Sequence, residues 1–148
     1  MRIRVRLSTV ATTAIATALL LTGCSSTPAE KLEDWWSSGG ESRVKGLSDT
    51  ASQVNAVSMR PMDVWSTTCQ ELLAEVGKAK KLDTIPSENA RGFWTEALTA
   101  FEHGGNQCVD GAAKKDVPRA SEGIREVQKG IGRLASAMSL IRSDLQAK

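Results

Sequence analysis

The chain has 148 residues, with 19 Lys and Arg against 17 Asp and Glu. Three of the Arg (Arg2, Arg4, Arg6) fall in the first 23 residues, which hold no acid, so the following 125 residues carry 16 basic and 17 acidic side chains. That balance points to a single near-neutral domain and leaves a basic nucleic-acid-binding surface without compositional support.

Met1 to Arg6 is basic, Leu7 to Leu21 is an apolar stretch of 15 residues, and small residues then lead to Cys24. This order is that of a secretory signal peptide. At about 1.5 Å per residue the stretch reaches roughly 22 Å, short of the ~30 Å hydrocarbon core, so it is a poor permanent span. Arg2, Arg4 and Arg6 alternate with Ile3 and Val5, and the absence of a twin-Arg pair favours general secretion.

Leu21-Thr22-Gly23-Cys24 resembles the lipobox of bacterial lipoproteins, with an aliphatic residue, two small ones and the Cys that becomes lipidated. The resemblance covers the first 24 residues. It implies cleavage between Gly23 and Cys24, lipid on Cys24, and a location at the cell membrane, lipid-anchored on the extracytoplasmic face. Two or more acyl chains suffice for stable attachment. The alternative is an ordinary cleaved signal with an incidental Cys. Parity favours the anchor, because lipidation of Cys24 leaves two thiols, whereas an unmodified exported chain has an odd one.

Three segments follow from this reading: 1–23 as the lipoprotein signal, 24–40 as a lipidated N-terminus and tether, and 41–148 as a helical bundle. Within the tether, Thr27-Pro28-Ala29-Glu30 has the pattern of a capping box with Pro at the first helical position. Leu32, Trp35 and Trp36 share one face of this short helix, and Ser37-Ser38-Gly39-Gly40 breaks it. Ser38 to Glu41 repeats the capping-box spacing, followed by a stripe of Val44, Leu47, Ala51, Val54 and Val57. Pro61 ends or kinks that helix near Met59.

A second stripe runs Met62, Trp65, Cys69, Leu72, Val76, Ala79, with Lys78, Lys80 and Lys81 at its carbonyl end. After Asp83 to Ser87, a third comprises Ala90, Phe93, Trp94, Ala97, Leu98 and Phe101, and it continues in period through Gly104, Cys108 and Ala112. Adjacent Gly104 and Gly105 either end the helix or admit a close neighbour, and the unbroken period favours continuation. Asp116-Val117-Pro118 starts the last helix, whose stripe is Ala120, Ile124, Val127, Ile131, Leu134, Met138, Ile141 and Leu145. The fold expected is all-α, an antiparallel four-helix bundle. The alternative is a long three-helix bundle with a kink at Pro61.

Leu, Ile, Val and Phe make up only 23 of the 125 residues, so the core is thin and benefits from a staple. Cys69 and Cys108 both fall on core stripes, and in an oxidising compartment a disulfide between them is favoured over two buried free thiols or, without C-x-x-C spacing, a redox pair. His103 is the sole imidazole, and no Glu-x-x-His pair accompanies it. Met59 and Met62 read as core before they read as soft-metal ligands. No phosphate loop, paired-carboxylate site or haem attachment sequence is encoded. Metal, cofactor and enzymatic activity are therefore not expected. Leu32, Trp35 and Trp36 are the candidate contact with a partner or the membrane, but Glu30, Glu33 and Asp34 outnumber Lys31 beside them and disfavour an anionic surface, so packing on the bundle end or on a partner is the favoured role of the two indoles.

The whole chain also resembles small lipoproteins of high-GC Gram-positive bacteria, through the Thr-rich signal, Cys24, Cys69 with Leu72 and Val76, and Trp94, Ala97 and Leu98 with Cys108 downstream. That resemblance implies no activity. The expectation is a lipid-anchored, non-enzymatic interaction or structural module of the cell envelope, contacting the membrane through its anchor and a protein partner beyond it. Alternatives are a small-ligand carrier with a cavity between helices and an exclusion or immunity lipoprotein of a mobile element.

Overall fold

A computed structural model describes residues 26–147. Gly23, Cys24 and the signal segment lie outside the described residues, which contain five α-helices and no strand. Helix α1 is Pro28–Trp35, α2 Glu41–Ala56, α3 Trp65–Ala79, α4 Glu88–Ala113 and α5 Val117–Gln146. Helices α2 to α5 form the four-helix bundle, in which α2 packs on α3, α3 on α4, α4 on α5 and α5 on α2. No helix among the described residues is long and apolar enough to cross a membrane.

The stripes read from the sequence are the inward faces. Val44, Leu47, Ala51, Val54 and Val57 are buried along α2 and its last turn, as are Trp65, Cys69, Leu72, Val76 and Ala79 along α3. Between these helices Arg60 (φ −112°, ψ 161°) and Pro61 (φ −55°, ψ 144°) are extended, so Pro61 separates two helices rather than kinking one. The three-helix alternative is thereby excluded. Trp65 closes the turn by donating its Nε1–H to Arg60 O at 3.0 Å.

Helix α4 runs unbroken through Gly104 and Gly105 because neighbouring helices occupy the space their side chains would need, α5 at Gly104 and α3 at Gly105. A Cβ on Gly104 would stand 2.6 Å from Gly123 O, and one on Gly123 would stand 2.5 Å from both Gly104 O and Cys108 N. One turn further out, a Cβ on Gly111 would meet Ala120 N at 2.4 Å. These pairings run in opposite numerical order, so the helices are antiparallel, and their backbones touch directly along the lower half. Beyond them Phe101 lies against Gly130, where a Cβ would be 2.6 Å from its ring. The turn between the helices closes through Asp116 N–H to Gly111 O (2.8 Å) and Lys115 N–H to Ala112 O (3.2 Å), with Lys115 left-handed at φ 56°.

Three local expectations are corrected. Ser38 does not cap a new helix: its hydroxyl donates to Trp35 O, and the chain passes from α1 to α2 through a wide π-type turn, Trp36–Gly40, in which Gly39 has φ 146°. Lys80 and Lys81 lie past the end of α3 at Ala79. Lys80 reaches across to Glu102 of α4 (2.5 Å), while Lys78 pairs with Glu75 (2.6 Å). On α5 the buried face is centred on Gly130, Leu134 and Ala137, which leaves Ile131, Met138 and Leu145 half-buried.

The seam between α4 and α5 predicts opposite outcomes for one substitution at two glycines of α5. Gly123→Ala is expected to cost about 2 to 3 kcal/mol through overpacking against backbone that cannot move aside. Gly132, where a Cβ meets nothing within 4 Å, should gain up to about 1 kcal/mol in helix propensity on conversion to Ala. Urea unfolding of the two variants measures both, and a shift of the same sign in the two would contradict the seam.

Candidate functional site

The residues singled out from the sequence gather at one end of the bundle and in its centre. Thr27 and Glu30 form the expected capping box, with Glu30 N–H donating to Thr27 Oγ1 (3.2 Å) and Thr27 N–H to Glu30 Oε2 (2.7 Å). From Pro28 onward the segment expected to be a tether is docked on the bundle. Leu32 is 1 % exposed and Trp35 6 %, both within the continuous core, whereas Trp36 is half-buried at its edge. Of the three contact candidates, only Trp36 presents appreciable surface.

Trp35 is held on three sides. Its ring meets Trp94 of α4 edge to face at 5.9 Å and 89°, and its Nε1–H donates to Asp83 O at 2.9 Å in the connection between α3 and α4. Gly40 lies flat against the indole, where a Cβ would be 2.4 Å from Cζ3. Of the two favoured roles, packing on the bundle end is the one Trp35 takes, and it fixes α1 to the body.

The same connection contributes two residues that the stripes did not mark. Ile85 is fully buried, and Ser87 caps α4 by accepting from Ala90 N–H (3.0 Å) while donating to Asp144 Oδ2 of α5 (2.6 Å). Ser87 has the residue type of a helix cap and could have been read as one; its bond to Asp144 joins residues 57 apart in sequence and has no local signature. Around these groups opens a cleft of about 1010 Å³, lined by the first turns of α1, by Pro86 to Asn89, and by Asp144 and Ala147. Its polar wall includes Glu30, Lys31, Glu33, Glu88 and Asp144.

In the centre, Cys69 and Cys108 are joined by a disulfide with a Cα–Cα distance of 6.2 Å, tying α3 to α4 across 39 residues of sequence. Both cysteines are fully buried. The register of the two helices is consistent along their length, since Gly105 lies against Leu73 one turn above and Lys80 reaches Glu102 beyond that.

His103 stands apart from both features. It is exposed on α4, with Gln107 Nε2 3.3 Å from its Nε2, in a shallow cleft of about 560 Å³ shared with Asp110 and Arg119. Asp110 pairs with Lys114 (2.8 Å) and Arg119 (2.7 Å). The hydrogen bond from Lys114, reinforced by both positive charges, holds its carboxyl below the ordinary carboxylate range. These pairings occupy Asp110 in the turn between α4 and α5 and leave no carboxylate on the imidazole. Met59 is 90 % exposed on the turn after α2, contrary to its reading as core, and Met62 is half-buried. Among the described residues, no group of three or more His, Cys, Asp or Glu could hold a metal ion.

Compared with family models, with curated proteins and with solved structures, the chain finds no match in any of the three.

The disulfide makes a quantitative prediction. Replacing Cys69 and Cys108 together by Ala should lower stability by about 3 to 4 kcal/mol, the chain-entropy value for a loop of this length. Urea unfolding read by circular dichroism measures the loss, and a change under 1 kcal/mol would show that the core closes without its staple. Alkylation without reduction should leave both cysteines of the native protein unmodified in an intact-mass spectrum.

Proposed function

We propose that the chain is a bacterial lipoprotein whose helical bundle serves, without catalysis, as an interaction or structural module on the outer face of the membrane. The observation that carries this reading is the cysteine count. Cys69 and Cys108 are spent on each other in the core, so Cys24 is left as the one remaining thiol, at the position where a lipobox places its lipid. A buried disulfide is also what an exported protein retains and a cytosolic one rarely does.

The start of the folded body supports the same reading. Helix α1 is capped by its own Thr27 and Glu30, and the described core runs from Leu32 to Ile141. Cleavage between Gly23 and Cys24 removes none of these groups. The larger cleft lies at the end of the bundle rather than enclosed between its helices, and Glu30, Lys31, Glu33, Glu88 and Asp144 share its wall with apolar groups, so a module that contacts other surfaces fits better than a carrier that encloses an apolar ligand.

The anchor is tested by Cys24→Ala in a bacterial host with lipoprotein processing. The native chain should incorporate labelled palmitate and fractionate with membranes. The variant should lose the label and accumulate uncleaved. Labelling and maturation that survive the substitution would sink the proposal.

A further inference from the structure

We infer that α1 is a clasp that holds one end of the bundle directly against the lipid headgroups, in place of the flexible tether that its sequence suggests. The inference rests on the lipid-anchor reading. Its interaction surface is the end formed by α1, the connection between α3 and α4, and the last turn of α5, and the partner is the bilayer that carries Cys24.

The length of chain outside the packed body sets the geometry. Thr27, the cap of α1, is three residues from Cys24, and a chain extends at most about 3.6 Å per residue, so Thr27 stays within roughly 11 Å of the lipidated residue whatever path the linker takes. The 26-residue α4 alone is about 39 Å long, several times that leash. Thr27 lines the same cleft as Pro86, Asn89, Asp144 and Ala147, which places the leash at the end of the bundle where α4 begins and α5 finishes. Were α1 undocked, the first fixed residue would be Gly40, 16 residues from Cys24, and the same bound would rise to roughly 58 Å.

Docking is built for permanence. Leu32 and Trp35 are buried, Trp35 is bonded to Asp83 O, and Gly40 leaves room for its ring. Attraction to lipid is not what holds this end down, because Glu30, Glu33 and Asp34 outnumber Lys31 on α1. Proximity is imposed by the short chain and by α1 staying in place. The opposite end, with the turn that exposes Met59, is correspondingly free to project away from the membrane.

Three of the four tryptophans provide the readout, since Trp35, Trp36 and Trp94 cluster at the end assigned to the membrane while Trp65 lies at the other. The lipidated mature protein carrying Trp65→Phe is reconstituted into phosphatidylcholine vesicles containing a dansyl-headgroup lipid, and energy transfer from tryptophan is recorded alongside vesicle flotation. Insertion of a Gly-Ser linker of about 15 residues between Ser26 and Thr27 leaves the fold untouched and adds roughly 20 Å of reach. Transfer should fall at least twofold while flotation is unchanged. Leu32→Asp, which puts a charge in the buried face of α1, should lower transfer similarly with the helical content of the bundle retained. Equal transfer in the parent and either variant, with all three floating, would overturn the clasp. Failure of the parent itself to float would remove the anchor reading and the clasp with it.

Discussion

The structure depends on the approach of two backbones. Where α4 and α5 cross at Gly104, Gly111, Gly123 and Ala120, no side chain larger than a methyl group separates them, and three of the four residues have none at all. Each glycine gives up about 1 kcal/mol of helix propensity relative to Ala, and the offset comes from a dense set of backbone-to-backbone contacts that a wider spacing would forfeit. A hairpin of this kind fixes its own register, because sliding by one residue would drive a Cβ into a carbonyl. The two longest helices therefore make a rigid slab on which α2 and α3 are laid.

That slab explains how a chain with few large aliphatic residues closes a core. Small residues along the seam reduce the volume to be filled, so Phe101, Leu72 and Leu134 and the Val residues of α2 can fill the remainder. The disulfide pins α3 to α4 beside the seam, where Cys108 N itself abuts Gly123. At the end where α4 begins, α1 adds Leu32 and Trp35 to the core, with Trp35 against Trp94. Covalent staple and added helix thus serve the centre and one end of one thin core.

Most of this was legible from periodicity. The four stripes, the break at Pro61, the capping box at Thr27 and the pairing of Cys69 with Cys108 all rest on local spacing or on residue counts, which a single sequence displays. The seam was half legible: Gly104 kept the helical period, and the seven-residue intervals Gly104–Gly111 and Gly123–Gly130 are visible in retrospect, but nothing local says which helix approaches. The choice between the bundle end and a partner for Trp35 and Trp36 was not legible for a related reason. Two indoles in a Ser- and Gly-flanked segment have the same pattern whether they face solvent or a bundle end, and long-range contacts such as those of Trp35 with Asp83 and Trp94 distinguish the cases. Ser87 with Asp144 and the buried Ile85 are long-range or loop contacts of the kind that no period encodes.

The functional account follows from the same construction. In the proposed reading what acts is surface, presented close to the anchor by a bundle whose two cysteines are paired and whose N-terminal helix is fastened. The rigidity of the seam is what makes such presentation possible, and native-state hydrogen exchange measures it residue by residue. Amides of α4 and α5 facing the seam, including Cys108 and Val127, should exchange only through global unfolding, with those of α1 opening earlier and α4 protected without interruption across Gly104 and Gly105. Early exchange at Gly104 to Cys108, at rates matching the exposed ends of the helices, would contradict the seam as the element on which the rest is built.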